Sequence, residues 1–229
     1  MVAGLFIAIG IIILGLSLKS GINGFINKER VVSVKGLAEK EVPADRVIWP
    51  LLHKDIGDDL ATLYNNLEKK NKTIVDFLKS NGISEDEITI SAPEIIDMKA
   101  ERYGAEKIPY RYNVTSVLTV TSSKVELVRK LMISQSDLLK QGIAISSGGD
   151  YRYNTQFLFT KLNDIKPGMI EEATKNARAT ANKFAEDSNS KLGKIKTAYQ
   201  GQFSISDRDA NTPYVKSIRV VTTVEYYLN

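Results

Sequence analysis

The chain has one histidine, His53, and an acidic group begins two residues beyond it with Asp55, Asp58 and Asp59. An imidazole beside carboxylates can act as a general base oriented by an acid, and closely spaced oxygen ligands can hold a hard cation. Each of these chemistries lacks a part here. With a single histidine and no cysteine there is no second ligand for a transition metal, no thiolate nucleophile and no disulfide. Neither an HExxH nor a GxSxG pattern surrounds His53 or occurs elsewhere, so no partnered nucleophile is visible. The aspartates do not have the spacing of an EF-hand loop, and acids gather at helix N-termini for another reason, because their oxygens accept the free N–H groups of the first turn. Asp58 or Asp59 is therefore expected to cap a helix. Gly148-Gly149 lacks the Lys-Ser/Thr or third glycine of a phosphate cradle and reads as a turn. The expectation is a chain without catalytic residues, metal or cofactor, and not an enzyme.

Aromatic residues offer a second kind of site. Tyr110-Arg111-Tyr112-Asn113 is echoed by Tyr151-Arg152-Tyr153-Asn154, and Tyr103 lies nearby in sequence. Two strands carrying these copies could line a groove for a stacked ligand or form an interface, so Tyr110, Tyr112, Tyr151 and Tyr153 are the candidate ligand or interface residues. Packing is the competing role for aromatics on strands. Asn71-Lys72-Thr73 and Asn113-Val114-Thr115 match the glycosylation sequon, a pattern frequent by chance.

The elements that must position these residues begin with Met1 to Leu18, eighteen residues without a charged side chain. As a helix this run spans about 27 Å, close to the thickness of a bilayer's hydrocarbon core. No basic residue precedes it and no Ala-x-Ala follows, which favours a retained anchor over a cleaved signal peptide. The chain thus divides into a transmembrane segment at 1–18, a polar spacer at 19–29 and a body at 30–229. Lys19, Lys28 and Arg30 follow the apolar run and by themselves would hold that side in the cytoplasm. The formal charge of +4, from 31 basic and 27 acidic residues, is spread without a basic stripe, and no nucleic-acid partner is expected.

In the body, Val31 to Gly36 and Glu41 to Leu52 predict two strands around a Gly/Pro break. Leu60, Leu63, Leu67, Ile74, Phe77 and Leu78 recur near the helical period and stop at Asn81-Gly82. Ile88 to Met98 and Tyr110 to Thr121 read as strands, with a second helix through Val125, Val128, Leu131, Met132 and Leu138 ending at Gln141-Gly142. Strands at Ile143 to Ser146 and Tyr151 to Thr160 lead to a third helix, Pro167 to Asn189, with small residues at Ala173, Ala177, Ala181 and Ala185. Two more strands, Ile195 to Ile205 and Ser217 to Leu228, close the chain. The order ββαββαββαββ predicts an α+β fold of antiparallel sheets with helices on one face. The last strand is too apolar for an open edge and should pair inside the fold or with another subunit.

Several motifs together resemble the SIMPL domain family, also called DUF541, of bacterial cell-envelope proteins. They are Val32-Ser33-Val34-Lys35-Gly36 with Pro43-Ala44-Asp45, Leu78 to Ile83 with Asp86 to Thr89, the strand containing Tyr112, and the alanine-rich helix closing in Ser190-Lys191-Leu192-Gly193. The resemblance covers most of Val31 to Leu228. It implies an exported or membrane-anchored α+β protein that self-associates, with the body on the periplasmic or outer side, and it carries over no catalytic residue. The expected function is a membrane-anchored, non-enzymatic envelope protein that forms a homo-oligomer and contributes to envelope integrity or stress tolerance. The alternative is an envelope binding module for a peptide, glycan or small ligand.

Overall fold

Pro43 has no N–H to give a neighbouring strand, and the two long strands on either side of it enter different sheets. The computed structural model describes residues 2–27, 30–101, 109–146 and 151–229. β1 (Val31–Pro43) and β2 (Arg46–Gly57) are separated by Ala44 and Asp45 alone. The N–H of Ala44 donates to Tyr214 O at 2.8 Å and that of Asp45 to Leu158 O at 2.9 Å. The Asp45 carboxylate accepts from the backbone N–H and hydroxyl of Thr160 at 2.9 and 3.0 Å. Three separate anchors thus fix the turn where the chain changes sheet.

The chain forms two compact units, one of Met1–Glu41, Lys161–Ser206 and Ser217–Asn229, the other of Val42–Thr160 and Asp207–Lys216. In the first, the strand order is β1-β9-β7, with β8 (Ser204–Asp207) also paired to β9 (Val215–Leu228), and β7 covers Leu192–Gln200. The apolar last strand is interior, the first of the two outcomes its sequence allowed. α6 (Leu162–Asp187) buries Met169, Ala173, Ala177, Ala181 and Ala185, one residue every turn. Val34, Ala177, Ala181, Val224 and Tyr226 form one apolar cluster between helix and sheet. The approach is so close at Gly36 that a Cβ there would lie 1.8 Å from Ala173 O and 2.9 Å from Ala177 Cβ. Asn176 adds a bond from its Nδ2 to Leu37 O at 2.8 Å.

The second unit holds a sheet of order β3-β5-β2-β6 with β4 also on β5. Here β3 is Ile88–Ile90, β4 Glu94–Asp97, β5 Tyr112–Ser122 and β6 Gln156–Leu158. β2 and β5 are antiparallel from Val47↔Ser122 to Gly57↔Tyr112. Because side chains alternate across a strand, Val47, Trp49, Leu51 and His53 share one face. α2 (Leu60–Ser80), α4 (Val125–Ser134) and α5 (Ser136–Lys140) cover that face, and Val47, Trp49, Leu51, Ile74, Leu78, Leu118, Val128 and Leu138 meet in the main core. Gly82 and Gly142, at φ 92° and 77°, supply the left-handed residue after α2 and α5.

Several expectations need correction. The predicted strand Ile88 to Met98 is two short strands, because Pro93 interrupts the ladder and Met98 starts a short α3 (Met98–Glu101). The second helix is broken at Gln135, among residues whose short polar side chains compete for backbone bonds. Ile143 to Ser146 is reduced to a bridge from Ser146 to Leu52. The second YRYN copy is a 3₁₀ turn at Tyr151–Tyr153, so the echo is not a repeated strand. The third helix starts at Leu162, upstream of Pro167. The last predicted pair gains a break at Gly201, which separates β7 from β8.

At the N-terminus α1 runs over Val2–Asn27. Its described side chains, residues 9–22, are exposed on every side, Ile11, Ile12, Ile13 and Leu14 at 59–65 %. Among the described residues no helix is long and apolar enough to cross a membrane, and the transmembrane helix expected at 1–18 is in that sense unsupported.

Candidate functional site

The residues that looked most capable of chemistry lie between α2 and the second sheet. His53 is 1 % exposed. The buried stripe of α2 runs Leu63, Leu67, Asn71, Ile74 and Leu78, and its one polar member meets the histidine. His53 Nε2 stands 2.7 Å from Asn71 Oδ1, and Ser116, directly opposite His53 on β5, donates its hydroxyl to the same oxygen at 3.0 Å. An oxygen that accepts twice requires the hydrogen of the neutral imidazole to sit on Nε2. Nδ1 then carries a lone pair, and it is buried without a hydrogen-bond partner among the described residues. Asp55, two residues along the same face, is ion-paired through Oδ1 to Lys70 of α2, while its Oδ2 is also buried and unbonded among the described residues.

This polar seam separates two apolar regions. Leu63, Leu67 and Val114 cluster on one side, with Tyr112 against them. The main core, including Leu51, Ile74 and Leu78, lies on the other. Burial pushes the His53 imidazole below its ordinary value. The bond to Asn71 opposes that shift, Lys70 adds to it and Asp55 opposes it. A ring so enclosed cannot meet a substrate arriving from solvent. Its present contacts orient α2 on the sheet and expose no reactive atom.

The other predicted acids also have structural partners. Asp59 Oδ1 accepts from Thr62 N–H at 2.7 Å and caps α2, and that bond holds its carboxyl below the usual value. Asp58 Oδ1 accepts from the Arg111 N–H at 2.9 Å and lies 4.0 Å from Lys99 Nζ. Among the described residues no group of three or more His, Cys, Asp or Glu could hold a metal ion.

The four candidate tyrosines fall at different places. Tyr110 is 43 % exposed. Tyr112 packs on Leu63, Leu67 and Val114, with the Arg111 guanidinium 5.0 Å from its ring. Tyr153 is half-buried, with Arg152 5.3 Å from its ring. The side chain of Tyr151 lies outside the described residues, as do Tyr103 and Gly148-Gly149, where a turn was expected. Tyr112 pairs with Gly57 at one end of β2, whereas the second copy feeds β6, which pairs with Arg46, Val47 and Ile48 at the other.

Open depressions of about 350 and 370 Å³ are lined by other aromatics. The first lies between α2 and β4, walled by Leu60, Tyr64, Pro93, Ile95 and Val114. The second is walled by Arg129, Met132, Ile133, Phe157 and Tyr214. In its wall the Arg129 guanidinium stacks 3.3 Å from the Tyr214 ring, which meets Phe157 edge-on at 6.1 Å.

Asn71, Ser116 and Lys70 escaped the sequence reading as site residues. The signal for Asn71 was a gap in the apolar stripe of α2 between Leu67 and Ile74. Ser116 has no local signal, because only the β2–β5 register sets it opposite His53.

Among curated proteins none matches the chain. A family match does extend over the body, through the β1 strand with its tightly packed Gly36, the polar seam, the alanine helix and the interior last strand. Covering residues 32–226, it shows that the chain belongs to the SIMPL family, described as "Protein of unknown function (DUF541)".

Proposed function

We propose that this SIMPL-family chain is a membrane-anchored, non-enzymatic envelope protein whose body self-associates and contributes to envelope integrity under stress. The observation that carries the anchoring is the N-terminal helix. Residues 1–18 have no charge, and Ile11, Ile12, Ile13, Leu14, Leu16 and Leu18 are each at least 59 % exposed. Consecutive residues point in directions about 100° apart, so apolar surface surrounds the helix and no single neighbouring face could cover it. Lipid covers all directions at once. Export of the body to the periplasmic or outer side rests on the envelope character implied by the family resemblance.

Self-association is supported by the open side of the first sheet. β7 ends the strand order, and Ile195 and Tyr199 are 51 % and 69 % exposed on it. The non-enzymatic reading rests on the enclosure of His53 and on the structural duties of Asp58 and Asp59.

Fractionation tests the anchor. The full chain is expected to stay with carbonate-washed membranes and to be released by detergent, whereas Ile12→Lys combined with Leu14→Lys moves it to the soluble fraction. Full-length protein in the wash would refute anchoring. For the body, light scattering of detergent-solubilised full chain should report an oligomer that Ile195→Lys with Tyr199→Lys reduces in mass. A monomer in both samples would refute self-association.

A further inference from the structure

The seam between α2 and the second sheet has a property that packing alone does not require. A stripe of leucines and isoleucines is interrupted at Asn71, and the gap is filled by the chain's single titratable imidazole, bound at one nitrogen and unbonded at the other. We propose that His53 is a proton-operated latch: neutral, its Nε2–H holds Asn71 and fastens the middle of α2 to the sheet; protonated, it becomes a buried cation and the helix lets go.

Groups from three elements face the ring. On its own strand there is Asp55, on α2 there are Lys70 and Asn71, and on β5 there is Ser116. Asp55 would welcome a charged imidazole, but its carboxylate is already paired with Lys70, and the pair presents little net charge to the ring. Asn71 Oδ1 and the Ser116 hydroxyl are satisfied by the neutral form. A proton added at Nδ1 therefore creates a new donor in a buried place where that nitrogen has no partner among the described residues, and a buried charge without a bonded counter-charge is costly. The inexpensive escape is local. Releasing α2 near Asn71 admits water to the ring and leaves the main core around Leu118 and Val128 in place. The burial that lowers the affinity of the ring for a proton has the corresponding consequence for stability. The unfolded or opened form binds the proton more readily, so stability is full above the ordinary value of 6.5 and declines as pH falls below it.

The inference does not depend on anchoring or on self-association, and its test separates it from both. Because the chain has one histidine, a ¹⁵N-histidine label in detergent-solubilised full-length protein reports this ring alone. The expected spectrum is the Nε2–H tautomer, persisting below pH 6.5. As the ring charges, amide protection over residues 67–73 should fall about tenfold, while that of Leu78 and β5 is retained. His53→Gln keeps a donor toward Asn71 without titrating and should abolish the acid-dependent fall. A ring that charges at or above 6.5, with Asp55 Oδ2 accepting the new hydrogen, would overturn the latch. Unchanged α2 protection when the ring charges would do so too, as would a fall that His53→Gln shares. If His53→Gln does not fold, the wild-type titration and exchange decide between these outcomes.

Discussion

The two units solve the same problem, fastening a long helix to a sheet, by opposite means. α6 lies on its sheet through alanines and Gly36, with side chains small enough for the helix backbone to come within contact of the strand. α2 stands on larger residues, Leu63, Leu67, Ile74 and Leu78, and sets its place with directional bonds at Asn71. Clearance governs the first interface, and hydrogen-bond satisfaction governs the second. A close-packed surface of alanines has no spare volume for an added atom. A bulky interface with a polar seam can repack around a changed methyl group, but it loses heavily when one bonded partner is removed and the other is left buried.

This contrast can be broken most sharply at Gly36. Gly36→Val is expected to cost more than about 4 kcal/mol, because its Cβ would fall inside the Ala173 carbonyl and backbone atoms cannot yield as a side-chain end can. Denaturant unfolding of the full chain measures it. A cost below about 1 kcal/mol would mean that α6 is free to lift away.

In the second unit, Asn71→Leu should cost about 3 kcal/mol by stranding the His53 and Ser116 donors. Adding His53→Leu and Ser116→Ala should recover most of that loss, since an all-apolar seam leaves nothing unpaired. If the triple variant is as unstable as the single one, the seam is not held by hydrogen bonding and the contrast with α6 fails.

Acid provides a smaller probe. The Glu87 carboxylate would be raised by its partial burial, but bonds from Lys124, Ser122 and Ser84 outweigh that and hold it at about 2, against an ordinary 4.5. A depressed carboxylate contributes stability that is present above pH 4.5 and lost as pH falls from there through about 2. Glu87→Gln should remove that part of the acid-dependent loss in a thermal melt series. At neutral pH it should cost on the order of 1 kcal/mol, discounted for solvent screening. The loss expected for His53 sets in below 6.5 and that for Glu87 below 4.5, so the fall between those two values reports His53. The smallest effect belongs to Asp59→Ala, which removes the cap from α2 and should appear as faster amide exchange at Thr62 and Leu63 with the core unchanged.

Much of the helical plan was legible because it depends on local periodicity. The α2 stripe, its Asn81-Gly82 stop and the alanine repeat of α6 all appear where the spacing predicted them. The strands were harder to bound. Pairing partners lie far away in sequence, and a short break such as Ser91-Ala92-Pro93 or Gly201 divides what looks continuous. The candidate tyrosines show the same limit. Identical YRYN segments fold as the start of a strand in one place, where Tyr112 pairs with Gly57 of β2, and as a 3₁₀ turn in the other.

By itself the sequence determined the α+β class, the helix that follows Asp58-Asp59, the need of the last apolar strand for a partner on its edges and the family, since each follows from patterning within a few residues. Only the tertiary structure decided that β1 and β2 part at Pro43, that Gly36 is needed for clearance, and that His53 is sealed against Asn71 and Ser116. Those facts depend on which distant residues come to lie opposite one another, and sheet register settles that only when the whole chain has packed.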